Sequence, residues 1–251
     1  MLSLFIGVAV SVIYAVDIGS QNVRIAASAP GKPVEIKTNE RDQRMTPNYV
    51  AFPLTDSVDD LTKVQWIIGP DAERITMRNK SHGIANPLGH LWQPTTPGLQ
   101  NLPHVYTAAI SMYHHLRGLK MKLDRITLLV PTYAAPQYRQ LLLLTTKLVG
   151  FKQVNVLDSA TAVGTLYSVE KIKKGSRKPM TILFVDIGAE NVDAYLWKFR
   201  PLGEKLFMEL LQYRHEGGIG GNFVDQMLLE WAKEKIGRPL VGSEPYIVLT
   251  L

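Results

Sequence analysis

Leu183–Asp193 reads LFVDIGAENVD, an apolar run closed by Asp-Ile-Gly and followed by a short polar turn. A near copy of its front half, YAVDIGSQN, stands far upstream at Tyr14–Asn22. A strand that ends in this way and then turns back suits anions and their counter-ions. Glycine in the turn lets backbone N–H groups approach an anion without a Cβ in the way. Aspartate at the strand end can orient water on Mg2+, which prefers carboxylate, water and phosphate oxygens. A single Asp-X-Gly is common in turns. Two of them, each after an apolar strand, predict two hairpins that face each other across a cleft and grip a polyphosphate from both sides.

Around these hairpins the chain alternates strands and helices. Ala15–Ile18 and Val23–Ala27 make the first hairpin, and Val34–Ile36, Tyr49–Phe52 and Val64–Ile68 are short strand candidates. Pro70 and Asp71 open a helix. His82–Pro103, rich in Gly, Pro, Asn and Thr, reads as irregular. Val105–Leu119 carries apolar residues at spacings of three and four, the stripe of an amphipathic helix. A buried strand at Arg125–Val130 halts at Pro131, a helix spans Gln137–Val149, and a strand follows at Val154–Leu157. A small-residue helix fills Ser159–Tyr167, the second hairpin pairs Thr181–Val185 with Val192–Lys198, and Gly217–Gly221 turns into a helix at Asn222–Ile236. This order predicts an α/β fold with a substantially parallel core, to which the hairpins add antiparallel elements.

A chain of 251 residues, 46% hydrophobic, has room for a sizeable core in one large or two smaller domains. Its net charge of +6 is spread over 28 cations and 22 acids. The densest basic stretch, Lys171, Lys173, Lys174, Arg177 and Lys178, lies among Gly and Ser and reads as a solvated loop. A nucleic-acid groove needs clustered cations with stacking aromatics, and the sequence has no such arrangement. Cysteine is absent, which excludes disulfide scaffolds, thiol catalysis and cysteine-based zinc sites. His114 and His115 are adjacent, the wrong spacing for two metal ligands on one helix face. Met1–Val16 has no charged side chain and is too short to span a bilayer comfortably, so residues 1–15 read as a signal peptide cleaved after Ala15. No stable membrane insertion follows from it. Asn79-Lys80-Ser81 is a glycosylation sequon that suits the secretory route.

The pair of Asp-Ile-Gly motifs resembles the actin-like ATPase superfamily, and the residues between them resemble its DnaK (seventy-kilodalton heat-shock) chaperone family. Asp17-Ile18-Gly19-Ser20 matches that family's first phosphate loop, and Gly31–Phe52, with Thr46, Pro47, Tyr49 and Val50, resembles its next segment. Leu128–Gln140 resembles the Val-Pro-Ala-Tyr passage, and Asp158–Tyr167 the Asn-Glu-Pro-Thr-Ala-Ala segment. Asp186-Ile187-Gly188 matches the second phosphate loop, and Gly217–Leu228 the Gly-Gly-x-x-Phe-Asp helix entry. The start of the matched region, directly after a leader, looks most like the large, hypoxia-up-regulated endoplasmic-reticulum branch.

The resemblance implies an actin-like, ribonuclease-H-like fold: lobe I over residues 16–180 and the beginning of lobe II over 181–251, the second incomplete. It implies an ATP-binding chaperone in the endoplasmic-reticulum lumen (the cytoplasm being the alternative) that holds ATP or ADP with Mg2+. Its partners would be unfolded polypeptides and other heat-shock 70 chaperones, for one of which it would serve as exchange partner. Asp17, Gly19, Ser20, Asp186 and Gly188 would bind the phosphates, and Asp17 and Asp186 would hold Mg2+ through water. Pro131 and Arg139 match the family's proline switch and relay arginine.

Departures accompany the matches. The second loop of the family is Asp-Leu-Gly-Gly-Gly-Thr-x-Asp, whereas this chain has Ala189 and Glu190 after Gly188. Glu190 is expected to put negative charge where phosphate should sit. The catalytic glutamate aligns with Ser159, and the catalytic lysine, expected around Ile84–Leu91, has no counterpart. Weak or absent hydrolysis follows. Glu190 and Asp193 otherwise read as solvated turn residues. Two other readings compete: a non-catalytic, chaperone-derived fragment that only binds partners, and a sugar- or acetate-kinase-like member of the same superfamily.

Overall fold

The computed structural model describes residues 12–52, 66–87, 112–114, 116–117, 124–172, 178–203 and 205–240. Elements are numbered along the chain. The first sheet is built on β1 (Ile13–Ile18), which pairs antiparallel with β2 (Asn22–Ser28) and parallel with β8 (Arg125–Val130). Beyond β8 lies β9 (Gln153–Asp158), again parallel, and on the other side β2 pairs with β3 (Glu35–Ile36) and β4 (Thr46–Pro47). The alternation of β1 and β8 buries Tyr14, Val16 and Ile18 together with Ile126, Leu128 and Val130. Helix α2 (Pro136–Val149) lays Tyr138 and Leu142 on that core. Proline stands at its start, where no N–H is needed, and Gly150 ends it with a left-handed φ of 112°.

The second sheet is an antiparallel meander of β10 (Met180–Ile187), β11 (Asn191–Leu202) and β12 (Lys205–Gly217). Its core is Tyr195, Trp197 and Phe199 on β11, covered by helix α3 (Ser159–Glu170) through Ala160. The small residues of α3 have a steric reason: a Cβ on Gly164 would come within 2.9 Å of the Trp197 ring. Because α3 and Tyr167 pack here, the second core draws on residues ahead of 181. A third, small sheet of β5 (Tyr49–Ala51), β6 (Ile67–Ile68) and β7 (Gly83–Ala85) carries helix α1 (Pro70–Arg78). Helix α4 (Gly221–Ile236) is the last described element.

Several sequence expectations change. The parallel core is confined to the first sheet; the second is wholly antiparallel, and its strand β12 had no counterpart in the sequence reading. Gly83–Ala85 is a strand inside the stretch read as irregular. Its glycine is needed, since a Cβ on Gly83 would lie 2.9 Å from the Val50 carbonyl oxygen. Ile13–Ala15 are also part of the fold, pairing with Ala26–Ser28 and with Arg125–Thr127. Processing after Ala15 would remove half of the central strand; residues 1–11 lie outside the described residues. Of the helix expected at Val105–Leu119, 112–114 and 116–117 are described and helical, with Met112 and Leu116 in the first core.

Candidate functional site

The two Asp-Ile-Gly turns are built alike. In the first, Gly19 N–H donates to the Asn22 carbonyl (3.0 Å); in the second, Gly188 N–H donates to the Asn191 carbonyl (2.8 Å). The cross-strand neighbour of Asp17 is Arg24, and that of Asp186 is Asp193. Glycine matters most in the first turn, where a Cβ on Gly19 would stand 2.9 Å from the Asn22 oxygen.

Both turns open on one cleft of about 460 Å³. Asp17, Gly19, Ser20, Asp186 and Gly188 all line it, with Pro131, Tyr133, Ser159, Arg24 and Asp193. Among the described residues no acceptor is assigned to the N–H groups of Ser20, Gln21 and Ala189, so the turns that border the cleft keep donors for an anion. The second turn is seated by α4. Gly221 and Asn222 N–H groups donate to the Gly188 and Ala189 carbonyls (2.9 and 2.8 Å). Gly220 permits that approach: a Cβ there would fall 2.4 Å from the Ala189 carbonyl.

The cleft is acidic. Loss of hydration pushes the Asp186 carboxyl up, the charges of Asp193 and Asp17 push it further, and Arg24 pulls it back. Arg24 Nη1 lies 3.4 Å from Asp17 Oδ2, so one of the three carboxylates has a cation of its own. Asp193 is not the solvated turn residue expected. It is 5% exposed on β11, and it accepts from Tyr213 Oη (2.7 Å), Asn191 Nδ2 (2.5 Å) and His215 Nδ1 (3.0 Å). Tyr133 stacks on the His215 ring at 3.9 Å and has its phenol pushed up to about 12, by burial and then by the charges of Asp193 and Glu190.

Behind the first turn sits Asn48, fully buried. Its Nδ2 donates to the Gly19 carbonyl (3.0 Å) and lies 3.3 Å from Asn86 Oδ1; Asn86 Nδ2 in turn donates to Glu190 Oε2 (2.8 Å). Glu190 is therefore turned to Asn86 and is not among the residues that line the cleft, against the expectation that its charge would occupy the phosphate position.

The comparisons with known proteins meet this geometry. The family model described as Hsp70 protein matches residues 115–240, half of the chain, including the second hairpin, Pro131, Arg139 and the entry to α4. The chain belongs to the Hsp70 family. It is also similar to curated proteins named chaperone protein DnaK. That of Mycoplasmopsis pulmonis is 23% identical over 90% of this chain, and that of Mycoplasmopsis agalactiae 24% over 88%. That of Ureaplasma urealyticum is 23% identical over 90%. The chain spans 35% of the length of each of these relatives. Its mixed α/β architecture fits the actin-like ATPase fold of the Hsp70 family.

The remaining residues singled out in the sequence are held as follows. Arg139 donates through Nε to the Ala134 carbonyl (2.9 Å) and through Nη2 to the Thr132 carbonyl (3.2 Å), clasping the loop that begins at Pro131. Ser159, expected to align with the family's glutamate, faces the cleft and donates Oγ to the Val130 carbonyl (3.1 Å). Asp158 caps α3, accepting from Thr161 N–H (3.0 Å), and is not free to act in the cleft. Of the stretch expected to hold the lysine, residues 88–91 lie outside the described residues. Arg24, Asn48, Asn86 and Tyr133 escaped the sequence reading. Arg24 alone had a local signal, as the cross-strand neighbour of Asp17 in a recognisable hairpin.

Proposed function

We propose that this chain supplies the phosphate-gripping hairpins of a nucleotide-binding module in an Hsp70-family chaperone, holding ATP or ADP with Mg2+. The observation that carries the reading is the convergence of both Asp-Ile-Gly turns on one cleft, with unassigned N–H donors beside three carboxylates. The donor set fits the ligand. The turn N–H groups and Ser20 suit phosphate oxygens, and the crowded carboxylates of Asp186 and Asp17 call for a cation. Among the described residues no three acids or histidines form a ready metal cage, so Mg2+ would come with nucleotide and water. When bound, Mg2+ would neutralise part of the phosphate charge beside Asp17 and Asp186. Hydrolysis would be weak, because Ser159 offers a hydroxyl already committed to Val130 where the family has a carboxylate.

In this reading the first sheet belongs to lobe I and the second sheet opens lobe II. The loop from Pro131, clasped by Arg139, would be the route by which nucleotide state leaves the cleft. Unfolded polypeptides and other heat-shock 70 chaperones would be the partners, in the endoplasmic-reticulum lumen. Glycosylation of the exposed Asn79 would report the route.

A second reading, a partner-binding fragment without nucleotide, has its own observation. Leu183, Val185 and Ile187 on β10, and Val224, Met227 and Trp231 on α4, are exposed apolar side chains. Displacement of a fluorescent ADP analogue separates the two. Saturable, ATP-competable binding supports the nucleotide module; no binding alongside retained chaperone capture leaves only the fragment.

A further inference from the structure

Glu190 is the largest chemical departure of the second turn, and its surroundings show a use for it. We infer that Glu190 is a positioning residue that latches the second phosphate loop to the first through Asn86 and Asn48, an inference that rests on the nucleotide reading of the cleft. The chain of bonds is continuous. Asn48 Nδ2 holds the Gly19 carbonyl at 3.0 Å and lies 3.3 Å from Asn86 Oδ1, and Asn86 Nδ2 reaches Glu190 Oε2 at 2.8 Å. The backbone reinforces each end. Asn48 N–H donates to the Gln21 carbonyl (2.7 Å), Asn86 N–H to the Asn48 carbonyl (2.8 Å), and Gly218 N–H to the Glu190 carbonyl (2.7 Å).

Asn86 adopts a left-handed φ of 48°, a conformation that asparagine tolerates better than most side chains. It stands just after the short strand β7, on the far side of the chain from the second hairpin in sequence. A glycine at position 190 has nothing to reach Asn86 with. The latch thus exists because the glycine-rich pattern is broken, and it fixes the distance between two loops that must grip one ligand together.

The test compares Mg–ADP affinity of the full chain with that of Glu190→Ala, Asn86→Ala, the double variant and Glu190→Gln. Each alanine variant is expected to weaken binding about tenfold, and the double variant about tenfold as well, since both remove one link. Glu190→Gln keeps an acceptor for Asn86 and is expected to stay within about threefold of the parent. Tighter binding by Glu190→Ala and Glu190→Gln would restore charge repulsion as the role of Glu190 and overturn the latch. If the parent binds no Mg–ADP, the nucleotide reading fails, and thermal unfolding of the parent, the two alanine variants and the double variant without nucleotide decides the latch alone. Non-additive losses from Glu190→Ala and Asn86→Ala uphold it; additive ones overturn it.

Discussion

Asp17 faces Arg24 across the first hairpin, and at the same register Asp186 faces Asp193 across the second. The closing hydrogen bonds and the Asp-Ile-Gly sequence are shared, so beside the turn residues Ser20-Gln21 and Ala189-Glu190 the hairpins differ in this cross-strand residue. Opposite charges at such positions attract and like charges repel. The first hairpin is therefore close to neutral on its own, whereas in the second the charge of Asp193 adds to the loss of hydration that raises the Asp186 carboxyl, and Arg24 works against the rise. The Asp17–Arg24 pair is half exposed and adds little to stability. What the comparison teaches is that added positive charge would have most to gain beside the second hairpin, and that Arg24 already provides part of that charge to the first.

Gly220→Ala should break the comparison most severely. Its Cβ would collide with the Ala189 carbonyl at 2.4 Å, and backbone cannot swing aside as a long side chain can. A loss of about 3 kcal/mol in urea unfolding is expected, from overpacking at the seat of the second turn alone. Asp186→Asn comes next, weakening Mg–ADP binding about 100-fold, or roughly 2.7 kcal/mol, while the apo chain gains stability. The sign follows from the raised carboxyl. The folded state holds its proton more tightly than the unfolded one, so this contribution is full below the unfolded carboxylate pKa and is lost as pH rises through the raised one. Thermal melts across that acidic window should flatten in Asp186→Asn.

Arg24→Gln is expected to make the first hairpin resemble the second: the Asp186 carboxyl rises further, read by carboxyl NMR titration, and nucleotide affinity falls about fivefold. The smallest effect separates the two turn glycines. Gly19→Ala, with backbone oxygen at 2.9 Å, should cost about 1–2 kcal/mol. Gly188→Ala, at 3.3 Å, should cost less in the same urea titration.

Much of this arrangement was legible in the sequence, for identifiable reasons. The hairpins announce themselves by apolar strands ending in Asp-Ile-Gly, and α2 by proline at its start and glycine at its end. Strand β12 does not. Leu210 and Leu211 are neighbours and both exposed, and Leu211 is the extra residue of a bulge opposite Leu196 and Trp197, so the period of two is broken on β12. The Gly83–Ala85 strand hides because glycine is a poor strand former, chosen there for the approach of Val50. In the site, the motif residues were visible and their neighbours were not. Glu190 and Asn86 are 104 residues apart, and Asp193 is buried by Tyr213 and His215 from a strand the sequence reading had missed. Nothing local signals such partners.

Calorimetric titration of the chain with ATP, once with Mg2+ and once with the ion chelated, tests the central claim most directly. The account predicts binding at about 100 μM or tighter with Mg2+, near 5.5 kcal/mol, and a clear loss of affinity without it. Absence of heat in both titrations, or heat indifferent to Mg2+, would contradict it.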